Sequence, residues 1–232
     1  MFDDGMTLTD RAYGSLREDI LNGVLAPGAR LRLEPLKARY GMGASPLREA
    51  LSRLAGDGFV IAEGRRGFMV PAVSLSELQD VTESRVMIET LALRSSLEHS
   101  ALEDPHGWEA AIVASFYRLS KLDQQLAAHG PTDEWELRHA DFHEALISAC
   151  PLQRIQHFRQ ILFEQSERYR RLSLSQLPAD RDVPGEHRAL MEAVLQRDAD
   201  RACGLLAAHI RLTGEIVAEA VRGLNGSPSL RA

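Results

Sequence analysis

The pattern of apolar positions over residues 1–72 predicts three short helices and a β-hairpin. Apolar residues at positions 12, 16, 20 and 21 share one helical face over 9–22, with Thr9 as the expected N-cap. After a Pro-Gly turn, a second helix is predicted over 33–40 and ends at Gly41. A third is predicted over 45–57, with Ser45 as N-cap and Glu49 closing a capping box. The apolar runs 59–62 and 68–70 then flank a turn and predict two strands.

From residue 76 onward the spacing of apolar residues is helical throughout. Six helices are predicted, over 76–99, 106–129, 132–149, 152–173, 183–197 and 199–222, and most of the breaks between them contain a proline, as at Leu177-Pro178. Long amphipathic helices with short connections form antiparallel bundles. The expected fold is therefore mainly α: a winged helix-turn-helix over 1–72, a linker over 73–77, and an all-α antiparallel six-helix bundle over 78–225.

Composition restricts the class of protein. The 232 residues are 44% hydrophobic and 26% charged, as in ordinary globular proteins. The sequence contains no apolar run of about 18 residues, which a membrane helix needs, and its first residues lack the apolar core of a signal peptide. Its two cysteines, Cys150 and Cys203, are typical of a reducing compartment. We therefore expect a cytoplasmic protein without membrane segments.

The charges divide unevenly along the chain. Residues 1–72 carry 10 Lys+Arg against 9 Asp+Glu, whereas the remainder carries 17 against 24. A near-neutral first part and an acidic second part predict different partners for the two. Apart from Lys37 and Lys121 all cations are arginine, which forms bidentate contacts with phosphates and carboxylates. A GC-rich genome would produce the same bias.

In a winged helix-turn-helix the third helix enters the major groove of double-stranded DNA. Arg48 lies one turn into that helix, where a guanidinium reaches a guanine edge or a phosphate. Arg65 and Arg66, beside Gly67 at the tip of the hairpin, suit contacts with phosphates or the minor groove. The alternatives are an ion pair of Arg48 with a nearby glutamate and a solvated turn at the hairpin tip.

Four histidines are candidates for a metal site in the second part. His139 and His143 lie four residues apart and share a helix face. His187 and His209 each lie 11 residues from Asp198, which places them level on two antiparallel helices. Imidazoles that converge in this way bind zinc, nickel, copper or iron. The alternative is that these are ordinary core or surface histidines.

Sequence motifs do not favour an enzyme. A di-iron bundle needs two Glu-x-x-His pairs, each within one helix, and within the predicted helices this chain has only that of Glu136 and His139. It has no His-Glu-x-x-His, Gly-x-Ser-x-Gly or phosphate-binding loop. A ligand-responsive DNA-binding regulator is therefore expected, and the alternatives are an architectural DNA-binding protein without an effector and a metal-dependent helical-bundle enzyme.

The run PLREALSRLAGDGFV at 46–60, the PGxxL turn at 27–31 and the wing glycine Gly67 resemble the GntR family of bacterial transcription regulators. The resemblance implies that Ser45, Arg48, Arg53 and the wing contact operator DNA. Many relatives have a basic residue at the position of Ala44, so one base contact of those relatives is absent here.

A bundle after such a domain resembles the FadR-like branch of that family, whose effector domain is called FCD. Three runs carry this resemblance, DFHEAL at 141–146, EHRAL at 186–190 and AAHI at 207–210. They imply a divalent transition metal, zinc or nickel before others, held by His143, His187 and His209. The fourth ligand position, an aspartate in those relatives, is His139 here.

The same resemblance implies an effector site. The segment ESRVMIET at 83–90 nominates Arg85 for the carboxylate of a small organic acid, against the alternative of an ion pair with a neighbouring glutamate. Arg138, Arg168 and Tyr169 are further candidates for a second carboxylate. The runs WELRHADFH and ERYRR resemble branch members that sense a C5 dicarboxylate such as glutarate. We expect a homodimeric repressor that such an acid releases from DNA.

Overall fold

A computed structural model describes residues 6–100, 104–173 and 181–226. The chain forms two compact units, one of Met1–Glu77 with Glu164–Leu172 and one of Leu78–Phe163 with Ser173–Ala232. The predicted linker over 73–77 falls within the first of these units and contains the start of a helix at Leu75. The predicted break at Leu177-Pro178 lies outside the described residues.

The first unit contains three helices and a small antiparallel sheet. The elements are α1 (Leu8–Leu21), β1 (Arg30–Leu31), α2 (Leu33–Tyr40), α3 (Ala44–Gly56), β2 (Ile61–Ala62) and β3 (Phe68–Met69). The strand order is β1-β3-β2, with Arg30 and Ile61 both opposite Met69. The two strands of the hairpin were predicted from the sequence, whereas β1 was not.

Apolar side chains of α1 and α3 form the centre of this unit. Leu16 and Ile20 of α1 pack with Leu47, Leu51 and Leu54 of α3, and all five are fully buried. Burying each contributes about 1.5–3 kcal/mol relative to exposure. The core therefore fixes α3 against α1 and leaves the opposite face of α3 exposed.

Two predicted helix caps differ from the structure. Thr7, rather than Thr9, caps α1: its hydroxyl accepts from the amide of Asp10, whose carboxylate accepts from the amide of Thr7. The N-cap of α3 is Gly43 rather than Ser45, because this helix begins one residue earlier than predicted. Glu49 therefore closes no capping box and accepts instead from the Thr9 hydroxyl, at 3.0 Å.

The second unit is built from helices. They are α4 (Leu75–Ser100), α5 (Pro105–His129), α6 (Asp133–Ile147), α7 (Gln153–Ser173), α8 (Val183–Leu195) and α9 (Ala199–Gly226), of which α7 supplies its residues 164–172 to the first unit. Leu93, Ile112, Phe142, Leu190 and Leu206 are buried in one core. The predicted mainly α fold class is confirmed. In the part of the chain that the structure describes, no helix is both long and apolar enough to cross a membrane.

Candidate metal centre and DNA-reading surface

The four predicted histidines lie together in the second unit. α6 supplies His139 and His143 from one face, α8 supplies His187, and α9 supplies His209. One ligand nitrogen from each lies within 4.8 Å of the others, and all four side chains are buried. The equal distance of His187 and His209 from the α8–α9 turn explains why their rings meet, with centroids 4.9 Å apart.

A carboxylate orients one of these imidazoles. Nδ1 of His209 donates to Glu186 at 2.6 Å, which leaves Nε2 with the free lone pair that a metal ion requires. Arg181 donates to both carboxylate oxygens of Glu186, at 2.9 and 2.8 Å, and to the Thr213 hydroxyl at 2.9 Å. Although burial raises the pKa of Glu186, the hydrogen bonds from Arg181 and His209 outweigh it and lower that pKa to about 2.

Electrostatics favour the neutral, metal-binding form of two of these histidines, His143 and His209. Burial lowers the pKa of His143, and the neighbouring His209, His187, Arg85 and Arg159 act in the same direction. Burial also lowers the pKa of His209, against the opposing effect of Glu186. Neither ring nitrogen of His143 has a hydrogen-bond partner among the described residues. Leaving a polar ring buried in this way costs free energy, and a bound metal ion would offset that cost.

Two buried arginines adjoin the histidines. Nε of Arg85 donates to Glu89 at 2.7 Å, the ion pair that the sequence left open as an alternative. Nη1 of Arg159 donates to Glu144 at 2.6 Å, and its Nε lies 3.9 Å from Glu89. Both guanidinium groups lie over the Phe163 ring, at 4.9 and 4.5 Å from its centroid.

Arg159 was not among the predicted site residues. Its Nε and Nη2 are buried and have no hydrogen-bond partner among the described residues, so this cation retains donors for a ligand. The sequence carries one indication of this position, the spacing of Arg159 and Phe163 by four residues on α7, which places both on one helix face.

The other effector candidates have hydrogen-bond partners of their own. Arg138 pairs with Asp141 at 3.1 Å and is partly exposed. Arg168 and Tyr169 belong to the first unit. There Arg168 donates to the carbonyl of Pro71, and the Tyr169 hydroxyl donates to Glu77 at 2.7 Å.

With one exception, the predicted DNA-reading residues whose side chains the structure describes form no ion pair among the described residues. Ser45 and Arg48 are exposed on α3, and Arg66 is exposed in the turn between β2 and β3. Gly67 follows with φ 95° and ψ −137°, a conformation that residues with a side chain rarely adopt. Arg48 makes no ion pair within the described ranges, and the side chain of Arg65 lies outside them.

Arg53 is the exception. Its Nη1 donates to Asp10 at 2.8 Å, and its guanidinium lies 4.6 Å from the centroid of the Tyr13 ring. Hydrogen bonds from Thr7 and Arg53 lower the pKa of Asp10 to about 2. These contacts give Arg53 a structural role between α3 and α1.

Comparison with known proteins identifies both parts. The family described as bacterial regulatory proteins, gntR family, matches residues 8–70, and the FCD domain matches residues 80–212. The chain belongs to the GntR family. This GntR chain is 41% identical over 214 residues to the HTH-type transcriptional regulator BphR of Paraburkholderia xenovorans (strain LB400). The aligned region covers 91% of this chain and 85% of BphR.

Two further comparisons agree with this family assignment. The HTH-type transcriptional repressor GlaR of Escherichia coli (strain K12) is 33% identical over 223 residues, 94% of this GntR chain and all of GlaR. The solved structure of E. coli McbR/YncC has the same fold, with a TM-score of 0.72 at 21% identity over 93% of this chain and 99% of McbR/YncC. The chain is therefore a GntR-family transcriptional regulator with an FCD effector-binding domain, and the prediction that it is not an enzyme is confirmed.

Proposed function

We propose that this GntR-family regulator is a metal-containing repressor that a small dicarboxylic acid releases from its operator. The observation that carries the proposal is the buried cluster of four histidines beside two buried arginines in the FCD unit. A closed cluster of neutral nitrogen donors next to guanidinium groups suits a metal ion and an anionic ligand together.

The histidine cluster fits a divalent transition metal. Four nitrogens at about 2.1 Å from one ion lie at most about 4.2 Å from one another, so the observed spread of up to 4.8 Å needs only small side-chain shifts. Imidazole ligands favour zinc or nickel among the available ions. When bound, the ion would supply a positive centre for a carboxylate oxygen, while Glu186 holds His209 in the ligating orientation.

The charges of the site favour a diacid over a monoacid. Arg85 and Arg159 are matched by Glu89 and Glu144, so these four side chains carry no net charge. Four neutral histidines add none, and a divalent ion adds two positive charges. An acid with two carboxylates balances them, and Arg159 retains hydrogen-bond donors for the second carboxylate. The resemblance of 135–143 and 167–171 to glutarate-sensing members is consistent with a C5 diacid.

Release from DNA requires that the acid prefer a non-binding arrangement of the two DNA-reading units of a homodimer. A dimer is expected because pseudo-palindromic operators mirror twofold protein symmetry. The segment 71–76, which includes the first residues of α4, joins the two domains along the chain, and we propose that it carries the change. The protein would act in the cytoplasm, where bacterial operators are.

The proposal is tested by anisotropy of a labelled DNA fragment from upstream of the regulator's own gene, with and without millimolar dicarboxylates. We expect tight binding that one diacid relieves. Arg48→Ala should weaken binding to DNA, whereas Arg85→Ala should bind normally and no longer respond. Binding that no acid disturbs would favour an architectural protein, and a normal response of Arg85→Ala would refute the role of that arginine.

Metal content is measured separately, by elemental analysis of protein purified without chelators. We expect one zinc or nickel ion for each chain, and its loss in His143→Ala. His157→Ala removes an exposed histidine of α7 and serves as the matched control. Equal metal content in both variants would contradict a site at the cluster.

A further inference from the structure

An arginine-lined groove crosses the DNA-reading side of the first unit. It has a volume of about 660 Å³ and lies between the start of α2, the exposed face of α3 and the wing. Four arginines line it, namely Arg30, Arg32, Arg48 and Arg66. Sequence motifs singled out Arg48 and Arg66 but neither of the other two.

The arginines of this groove differ from other arginines of the same unit. Within the described ranges, none of the four pairs with a carboxylate, and all four are exposed. Arg17, Arg39 and Arg53 are instead held by Glu164, Asp19 and Asp10 at 2.7–2.8 Å. Four like charges around one groove repel one another, so the groove suits a ligand that carries several negative charges in a row.

Local structure explains how Arg30 and Arg32 reach this groove. Arg30 is the first residue of β1 and is held opposite Met69 of β3, while the following Leu31 is buried. Arg32 then lies at the N-cap of α2. Because side chains alternate along a strand, burying Leu31 leaves its two neighbouring arginines on the exposed side.

We propose that the groove holds the sugar-phosphate backbone of one operator strand, and that Arg30 and Arg32 bind its phosphates. With α3 in the major groove and the wing along the flanking backbone or minor groove, one strand passes between these two elements. Arg30 and Arg32 thereby supply sequence-independent affinity, which offsets the missing cation at Ala44. The proposal depends on the family's DNA binding and not on the metal or the effector.

The test is the salt dependence of DNA binding. The logarithm of the binding constant falls with the logarithm of salt concentration, and each lost phosphate contact reduces that slope by about 0.9. We expect Arg30→Ala and Arg32→Ala each to reduce it by about this amount. Both variants should weaken binding to operator and to scrambled DNA by the same factor, whereas Arg48→Ala should weaken the operator complex more.

Arg39→Ala is the matched control, because it removes the same charge from the same unit at a guanidinium that already pairs with Asp19. It should leave the slope near that of the native protein, and Arg30→Lys should keep it too. An unchanged slope in Arg30→Ala and Arg32→Ala, or an equal reduction in Arg39→Ala, would overturn the proposal. So would a selective loss of operator binding, which would indicate base contacts instead.

Discussion

The hydrogen bond between Glu186 and His209 is the contact through which one carboxylate controls the proposed metal site. Because Glu186 accepts from Nδ1, it fixes the tautomer that leaves Nε2 for the ion. We expect Glu186→Gln to lower the affinity for zinc or nickel about 10- to 100-fold, the range for removing such a partner. Competition against a chelating dye measures this affinity.

Glu192→Gln is the appropriate control for that experiment, since Glu192 lies exposed on the same helix, α8. It should bind metal like the native protein. Native affinity in Glu186→Gln would show that the protein does not need this carboxylate to orient His209.

Arg159 distinguishes a diacid from a monoacid. We expect the Nε and Nη2 groups of Arg159 to bind the second carboxylate. Arg159→Ala should therefore lower the affinity for a diacid about 10- to 100-fold, which is the contribution of hydrogen bonds to a charged group. Binding of a monoacid of similar length should not change. Isothermal titration of metal-loaded protein measures both.

Arg138→Ala provides the comparison, because Arg138 is partly exposed and its guanidinium pairs with Asp141. It should bind both acids normally. Equal losses for the monoacid and the diacid in Arg159→Ala would assign this arginine to the packing of Phe163 rather than to a ligand.

At the scale of single residues, the sequence predicted those site residues whose proximity follows directly from their spacing along the chain. His139 and His143 share a helix face by their separation of four, and the symmetry around Asp198 brings His187 to His209. Arg159 could not be found in this way, because its proximity depends on how α7 is rotated about its axis. The pairing of Arg53 with Asp10 depends likewise on the packing of α3 against α1.

At the scale of elements, the start of α1 offers a test of the observed cap. Thr7→Ala removes the hydroxyl that accepts from the Asp10 amide and should lower the free energy of unfolding of the first unit by about 1 kcal/mol. Thr9→Ala, at the cap predicted from sequence, removes only an exposed hydrogen bond to Glu49. Urea unfolding followed by circular dichroism should show the larger loss for Thr7→Ala, and the reverse order would restore Thr9 as the cap.

The helices were predictable because apolar periodicity and proline breaks are local properties of the chain. Thus α2 has the predicted bounds, and α3 begins and ends one residue earlier than predicted. The strand β1 was missed because it has only two residues and exists through its pairing with β3, a long-range contact.

At the scale of the whole molecule, the order of elements along the chain does not give the division into units. Residues 164–172 lie within the fourth helix of the predicted bundle, yet they belong to the first unit. There Gln165 donates to the carbonyl of Asp57 at 2.8 Å, and Glu164 pairs with Arg17. Apolar periodicity predicts a helix over 152–173, but it does not indicate which hydrophobic core each half of that helix joins.

Coupling between the proposed diacid and DNA must be reciprocal if both bind the same regulator. A diacid that lowers the affinity for operator DNA by some factor must itself bind more weakly to the DNA complex by that factor. Typical couplings of about 1–3 kcal/mol correspond to factors of about 5–150. We expect titration of the diacid into free and DNA-bound protein to give the same factor as titration of DNA with and without the diacid.

Unequal factors would indicate that the acid does more than bind to the regulator, because dicarboxylates also chelate metal ions. If the acid acted by removing the ion from the histidine cluster, release from DNA would be accompanied by loss of metal, and added zinc or nickel would reverse it. Metal content measured after dialysis against the diacid separates the two cases. Retained metal with equal factors would support a sensor whose ligand binds at the ion, and metal loss would make the ion itself the sensed species.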